Sequence, residues 1–221
     1  RINSAYVTIP GKYVTIVQNS VIKEIKDKFA GISIRDINSG LMLVKDIDLP
    51  ENQTIIDIVP ENFILEDGQT VSDPIGSFSG SFTLNAEVMI ADKEYVKKLH
   101  QIFKKADLEI DGIIPNTLAQ RNLILDNNEL NDNIMILDIG AGNTDIGIFD
   151  GSRFIYTNTI PLGGDSVTND IALVLDISVE EAEKLIRKPE YFAMMLIKNN
   201  VADGVVAGAK FNSLKPSKYS T

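Results

Sequence analysis

The sequence contains no cysteine, which excludes disulfides, thiolate metal sites and a cysteine nucleophile. It has one histidine, His100, set among Lys97, Lys98, Lys104 and Lys105 late in a predicted helix. A cation near a helix C-terminus is favoured by the helix dipole, and without a partner histidine or cysteine this is a simpler role than metal binding. No apolar run approaches the roughly 20 residues of a membrane span. There is no stripe of Lys and Arg; the net charge is −10 and the pI about 4.6. An acidic chain repels nucleic-acid phosphate, so no DNA or RNA partner is expected. The chain opens Arg-Ile-Asn-Ser, with no initiator Met and no signal peptide, which reads as a fragment of a longer protein. Absence of cysteine fits a cytoplasmic location.

What is present is an ordinary globular composition. The 221 residues are 44% hydrophobic and 24% charged, enough for one or two domains with real cores. Ala5 to Ile9 and Tyr13 to Val17 alternate apolar and polar residues around Pro10-Gly11 and read as a β-hairpin. Ser33 caps a helix carrying Ile34, Ile37, Leu41 and Val44 on one face, stopped by Asp48-Leu-Pro50. Thr54 to Val59 and Asn62 to Leu65 read as two strands separated by Pro60-Glu61, and Phe82 to Ile90 as another. Asp92 caps a helix to about Lys105; Leu108 to Ile114 is a strand, and Asn116 to Leu125 a helix. The Asn-rich stretch from Asp126 to Asn133 reads as a linker and domain boundary. The pattern before it is α+β, one class within a broader α/β reading.

The chemistry concentrates between Ile134 and Asp150. Ile134 to Leu137 reads as a buried strand ending in Asp138. Gly140, Ala141, Gly142 and Asn143 make a tight turn, Thr144 and Asp145 follow, and a second strand begins at Ile146. Glycines admit close approach of an anion to backbone N–H groups, so the tip suits a phosphate, with the Thr144 hydroxyl as a further donor. Asp138 is placed to hold a water on Mg²⁺, since Mg²⁺ keeps several waters and uses few carboxylates. Asp145 either orients an attacking water or holds the turn. The alternative is an ordinary hairpin with an Asx-type turn. Phe154 to Ile160 reads as a third strand, Pro161 to Asp165 as a turn, and Ser166 to Leu175 as a helix capped by Asp165 or Ser166. Ser178 and Glu181 form a capping box for one more helix.

The run Asp-Ile-Gly-Ala-Gly-Asn-Thr-Asp from Asp138, a third strand, and then Gly163-Gly164 with Thr168 and Asp170 resembles the second phosphate-binding hairpin of the actin/Hsp70/hexokinase ATPases, and most specifically that of the bacterial cell-division protein family FtsA. Ala-Tyr-Val-Thr-Ile-Pro-Gly, Ile-Ile-Asp-Ile-Val-Pro-Glu-Asn-Phe-Ile-Leu-Glu-Asp-Gly, Ser-Asp-Pro-Ile-Gly and Leu-Asn-Ala-Glu-Val-Met-Ile resemble stretches of that family's small inserted subdomain, 1C, also called SHS2. The resemblance is collinear over about residues 2–186. It implies a fragment of an actin-like ATPase fold divided at 1–106 (the 1C-like subdomain), 107–130 (return into the first actin-like subdomain), 131–186 (second actin-like subdomain with the hairpin) and 187–221 (an atypical tail).

It also implies a function: binding ATP with Mg²⁺, tethering FtsZ at the septum, self-association and contacts with other division proteins through the 1C-like region, and a place at the inner face of the membrane. Carried over by position, Gly140, Ala141, Gly142, Asn143 and Thr144 would cradle the phosphates, Asp138 would face the Mg²⁺ side with no direct metal ligand, and Asp145, Gly163 and Gly164 would support the turns. Three departures limit this. The family's first phosphate hairpin is expected before residue 1. Its adenosine-binding glycine-rich segment and its amphipathic membrane-anchoring helix are expected after this chain. Asn116-Thr117 stands where family members usually carry Glu-Pro, and an amide cannot act as a base. Half a site gives little affinity, so weak ATP binding and almost no hydrolysis are expected.

The tail resembles something else. Pro189-Glu-Tyr-Phe-Ala-Met-Met-Leu-Ile-Lys and Ala202-Asp-Gly-Val-Val-Ala-Gly-Ala are similar to a short stretch of phosphate acetyl/butyryl-transferases. Either the chain is joined from two sources near Arg187, or an apolar helix and a glycine turn coincide by chance. The rival functions are therefore a phosphate acyltransferase fragment, or a pilus-assembly or chaperone-type actin homologue.

Overall fold

The computed structural model describes residues 2–125, 129 and 132–188. In chain order they form β1 (Ser4–Ile9), a 3-10 turn (Gly11–Tyr13), β2 (Val14–Glu24), α1 (Ile34–Lys45), β3 (Gln53–Leu65), β4 (Thr70–Val71) and β5 (Ser81–Asp92). α2 (Lys93–Lys105), β6 (Glu109–Pro115), α3 (Asn116–Ile124), β7 (Ile134–Ile139), β8 (Thr144–Asp150), β9 (Arg153–Ile160), α4 (Gly164–Leu175) and α5 (Val179–Ile186) follow. Two compact units result, Arg1–Pro161 and Leu162–Thr221. The breaks expected after residues 106 and 130 fall inside the first.

Strand β5 organises the first unit. Successive strand side chains point to opposite faces. Phe82, Leu84, Ala86, Val88 and Ile90 face one way and pack against Ile32, Ile37 and Val44 at α1, with Phe63 and Leu65 of β3 beside them. Phe63 meets Phe82 edge to face, centroids 5.6 Å apart. The other face is covered too: Met89 packs with Ile136, Phe149 and Phe154, and Ala91 with Ile9, Val14 and Ile113. β5 also sits inside its sheet, paired with β2 on one edge and β3 on the other, and the order is β2-β5-β3-β4. The remaining sheets are the parallel pair β1-β6 and the antiparallel β7-β8-β9.

Several sequence expectations change. The hairpin around Pro10-Gly11 is not formed. β1 pairs in parallel with β6, while β2 pairs with β5, so the turn carries the chain from one sheet to another. The two strands expected on either side of Pro60-Glu61 are one strand, β3, with register shifts between Ile55 and Asp57 and between Pro60 and Asn62. Proline is tolerated at such a bulge, and β4 covers β3 only at Phe63 and Ile64, leaving Pro60 no second partner strand to supply. The first shift frees Ile56 to pack toward the second layer. β7 is buried on one face only: Ile136 is inside, while Met135 and Leu137 are exposed.

Capping is largely as the sequence predicts. Ser33 and Asp36 form a capping box, and the Asp92 carboxylate accepts from Tyr95 N–H at 2.7 Å. In the second unit α4 begins earlier than expected. Gly163, not Asp165 or Ser166, is its N-cap residue, and Gly163 N–H donates to Ser166 Oγ at 3.3 Å. Asp176, with φ of 53°, turns the chain into α5, which Ser178 and Glu181 cap reciprocally. Ala172 and Ala182 are buried in this pair.

One polar group interrupts the second face of β5. Glu87 is only 4% exposed, and its Oε1 accepts from Phe154 N–H at 2.9 Å, joining β5 to β9. Burial pushes this carboxyl upward in pKa, against the pull of the Phe154 and Gln18 hydrogen bonds. Glu61 raises it further, whereas Arg153, 3.8 Å from Glu61, lowers it. A carboxyl whose folded pKa lies above its unfolded one contributes most in acid and loses that contribution as pH rises through the folded value. Glu87→Gln keeps the acceptor and removes the charge, so it is expected to be more stable than the parent at pH 7, with the gain vanishing near pH 4. Glu87→Ala strands Phe154 N–H and is expected to lose about 1–3 kcal/mol. Denaturant melts of both variants at the two pH values check this.

Candidate functional site

The hairpin tip is built from register. β7 and β8 pair with Ile139 opposite Thr144 and Asp138 opposite Asp145. The four residues between, Gly140 to Asn143, close the turn through Gly140 N–H donating to Asn143 O at 2.9 Å. Among the described residues, the amides of Ala141, Gly142 and Asn143 donate to nothing else in the chain. A Cβ on Gly140 would lie 3.2 Å from Asn143 O, whereas one on Gly142 would meet nothing within 4 Å and would project into open space.

The same register sets two carboxylates directly across from one another, an arrangement that is destabilising unless compensated. Helix α3 supplies the compensation. It starts immediately after β6, and Asn116 and Gln120, four residues apart, share a face. Asn116 Nδ2 donates to Asp145 Oδ2, and Gln120 Nε2 donates to Asp138 Oδ2 at 2.5 Å. Thr159 Oγ1, from β9, donates to the other Asp145 oxygen, and the same hydroxyl accepts from Lys12 N–H at 3.1 Å. Asp145 is thus buried with both oxygens engaged, an arrangement suited to holding the turn.

Two glycines let these layers meet. A Cβ at Gly147 would lie 2.3 Å from Thr117 Oγ1, so α3 lies close on β8. A Cβ at Gly11 would lie 2.3 Å from Thr157 Oγ1 and 2.6 Å from Asn158 N, so the turn after β1 rests on β9.

A cavity of about 260 Å³ opens over the tip, lined by Pro10, Lys12, Asn116, Asp138, Gly140 to Asn143, Asp145 and Thr159. It brings together the sequence-selected Asp138, Gly140, Ala141, Gly142, Asn143 and Asp145. Thr144 lies elsewhere, buried in β8 between Ile139 and Ile160. Gly163 and Gly164 belong to the second unit. Lys12, Gln120 and Thr159 were not legible as site residues. For Gln120 the signal was its spacing from Asn116 at the start of a helix; for Lys12 and Thr159 there was no local signal.

The donors suit a hydrated cation with an anion. Two carboxylates are too few to cage Mg²⁺ alone, but one or two plus waters and phosphate oxygens is its usual set. The amides at 141–143, which donate to nothing among the described residues, are the donors open to an anion.

Comparison with known proteins accounts for this plan. A sequence model of the SHS2 domain inserted in FtsA matches residues 11–90, and one of cell division protein FtsA matches residues 135–206. The second match takes in part of the stretch after Arg187 that the sequence sets apart; residues 189–221 lie outside the described residues. The fold is an α/β fragment whose first part matches the SHS2 domain that is inserted in FtsA. The chain is similar to the FtsA family of cell-division proteins over residues 11–90 and 135–206.

FtsA of Bacillus subtilis (strain 168) is 27% identical over 184 residues, covering 83% of this chain and 42% of that protein. FtsA of Pseudomonas aeruginosa is 28% identical over 185 residues, covering 84% and 44%. The chain thus spans less than half the length of these curated relatives. A solved PilM–PilN type IV pilus biogenesis complex is similar with a TM-score of 0.48 and 17% identity over 86% of this chain and 51% of that one. The ethanolamine utilization protein EutJ of Carboxydothermus hydrogenoformans gives 0.36 and 20% over 46% and 35%.

Asn116→Asp tests the compensation of the paired carboxylates. It would set a third carboxylate against Asp145 in place of a donor. The variant is expected to be less stable than the parent by about 1–3 kcal/mol at pH 7. Paired thermal melts at pH 7 measure it.

Proposed function

We propose that this chain is the partner-binding and half-cleft portion of an FtsA-type division protein, and that it binds the phosphates of Mg²⁺–ATP at the tip between β7 and β8. The observation that carries this reading is the cavity over Gly140–Asn143, with unclaimed backbone amides on one side and Asp138 held by Gln120 on the other. Bound Mg²⁺ would offset the phosphate charge. The chain's own part is to present the amides of Ala141, Gly142 and Asn143 to phosphate oxygens, and to set Asp138 toward the water shell of the cation.

Hydrolysis is not part of the proposal. Asn116, at the position where the family usually carries Glu, is an amide committed to Asp145. The function then rests on assembly rather than turnover: tethering FtsZ and contacting division partners or further copies through the SHS2 region at the inner face of the membrane. By its resemblance to the family, membrane attachment is proposed as peripheral; among the described residues no helix is long and apolar enough to cross a membrane.

Gly142→Val is the informative variant. A Cβ there would meet no protein atom within 4 Å, so the variant should leave the fold intact while filling the space a phosphate needs. Calorimetric titration with Mg²⁺–ATP at high protein concentration is expected to give weak binding by the parent chain and none by the variant, at unchanged melting temperature. Equal binding by both would remove the hairpin from the site.

A further inference from the structure

The cavity carries a cation for which the phosphate hairpin motif has no counterpart. Lys12 lies in the turn between β1 and β2, remote in sequence from the hairpin, yet it lines the same cavity as Asp138 and Gly140 to Asn143. Its backbone is fixed twice: Lys12 N–H donates to Thr159 Oγ1, and the preceding Gly11 rests on Thr157 and Asn158 with no room for a Cβ. Its side chain is exposed and makes no ion pair among the described residues; its Nζ lies 5.1 Å from the Tyr13 ring centroid. Lys12 thus lines the cavity with a side chain that has no carboxylate partner among the described residues, and its ammonium, now over the Tyr13 ring, can turn to an incoming anion.

Charge favours that use. The cavity wall holds Asp138 and Asp145 against Lys12 alone. A phosphate entering beside two carboxylates needs more than amide donors to offset repulsion, and a divalent cation and Lys12 together supply it. The lining adds a second constraint. It offers amides, carboxylates and one lysine but no aromatic ring on which a base could stack, so this part of the chain suits the phosphate end and not the nucleoside.

We infer that Lys12 is the charge partner of a polyphosphate bound at this hairpin, and that the ligand class recognised by this chain is a magnesium-bound pyrophosphate group, whatever nucleoside it carries. The inference rests on the phosphate reading proposed above and adds to it a residue from the turn that leads into the SHS2 region.

The test uses the full 221-residue chain, titrated calorimetrically with Mg²⁺–pyrophosphate and with Mg²⁺–ATP. The parent is expected to bind the two with similar affinity. Lys12→Gln is expected to weaken both about tenfold, the scale of one charge-assisted hydrogen bond, and to reduce the dependence of binding on ionic strength. Lys12→Arg is expected to stay within about twofold of the parent, because the charge is retained. Affinity unchanged in Lys12→Gln would overturn the role of Lys12 while leaving the hairpin in place. Equal loss in Lys12→Gln and Lys12→Arg would make Lys12 a structural residue and overturn it as well. ATP binding without pyrophosphate binding would overturn the ligand class. Absence of any binding by the parent would overturn the phosphate reading itself.

Discussion

The structure depends on how two carboxylates that face one another are kept apart electrostatically. Antiparallel pairing with a turn of Gly140 to Asn143 leaves no choice of register: Ile139 meets Thr144, and Asp138 therefore meets Asp145. Like charges at paired positions oppose the hairpin they sit on. Each is met by an uncharged donor from the first turns of α3, Asn116 for Asp145 and Gln120 for Asp138. Those donors are correctly spaced only because α3 begins directly at the end of β6, and β6 is fixed in parallel register on β1. The hairpin is thus held by a helix that β1 and β6 position, and α3 lies close on β8 because residue 147 lacks a Cβ.

A second buried carboxylate joins the layers elsewhere. Glu87 interrupts the apolar face of β5 to accept from Phe154 N–H, at the point where β8 and β9 shift register between Ile148 and Phe149. A shifted register leaves backbone groups off the ladder, and burying one unpaired would be unfavourable by a few kcal/mol. Glu87 removes that penalty and incurs its own desolvation, visible in the upward shift of its pKa. The gain is orientation: the SHS2 sheet and the three-stranded sheet are aligned by a directional bond as well as by the contacts of Met89 with Phe149 and Phe154.

Local rules carried a large part of the reading. Caps at Ser33, Asp92 and Ser178 were legible because each is a contest among neighbouring residues. The hairpin tip was legible for the same reason, and Asp138, Gly140, Ala141, Gly142, Asn143 and Asp145 do come together. What failed was pairing. Pro10-Gly11 has good turn chemistry, but turn chemistry does not say which strand lies alongside, and β1 found its partner about a hundred residues on. Pro60 read as a break because proline interrupts a ladder, yet it sits where β3 has a partner on one side only. Thr144 was read as a ligand donor from its place after the glycines; it is buried in β8, paired with Ile139 on one side and Ile160 on the other. Lys12 and Thr159 carry no motif of their own, and only the crossing from one sheet to another brings them to the tip.

That crossing bears on how the proposed phosphate cradle relates to the inserted region. The turn containing Gly11 and Lys12 is the first piece of chain after β1, and β2 of the SHS2 sheet begins at Val14. The turn is bound to β9 through Thr159, and Thr159 is bound to Asp145 beneath the tip. One hydroxyl therefore links the approach to the SHS2 sheet with the carboxylate supporting the hairpin. An anion drawn against the amides of Ala141 to Asn143 would act on the strand ends flanking Asp145, and through Thr159 on the turn that leads into β2. These groups are consecutive hydrogen-bond partners. The same arrangement gives position 116 its part in the fold: with Thr159 on one oxygen of Asp145, Asn116 donates to the other.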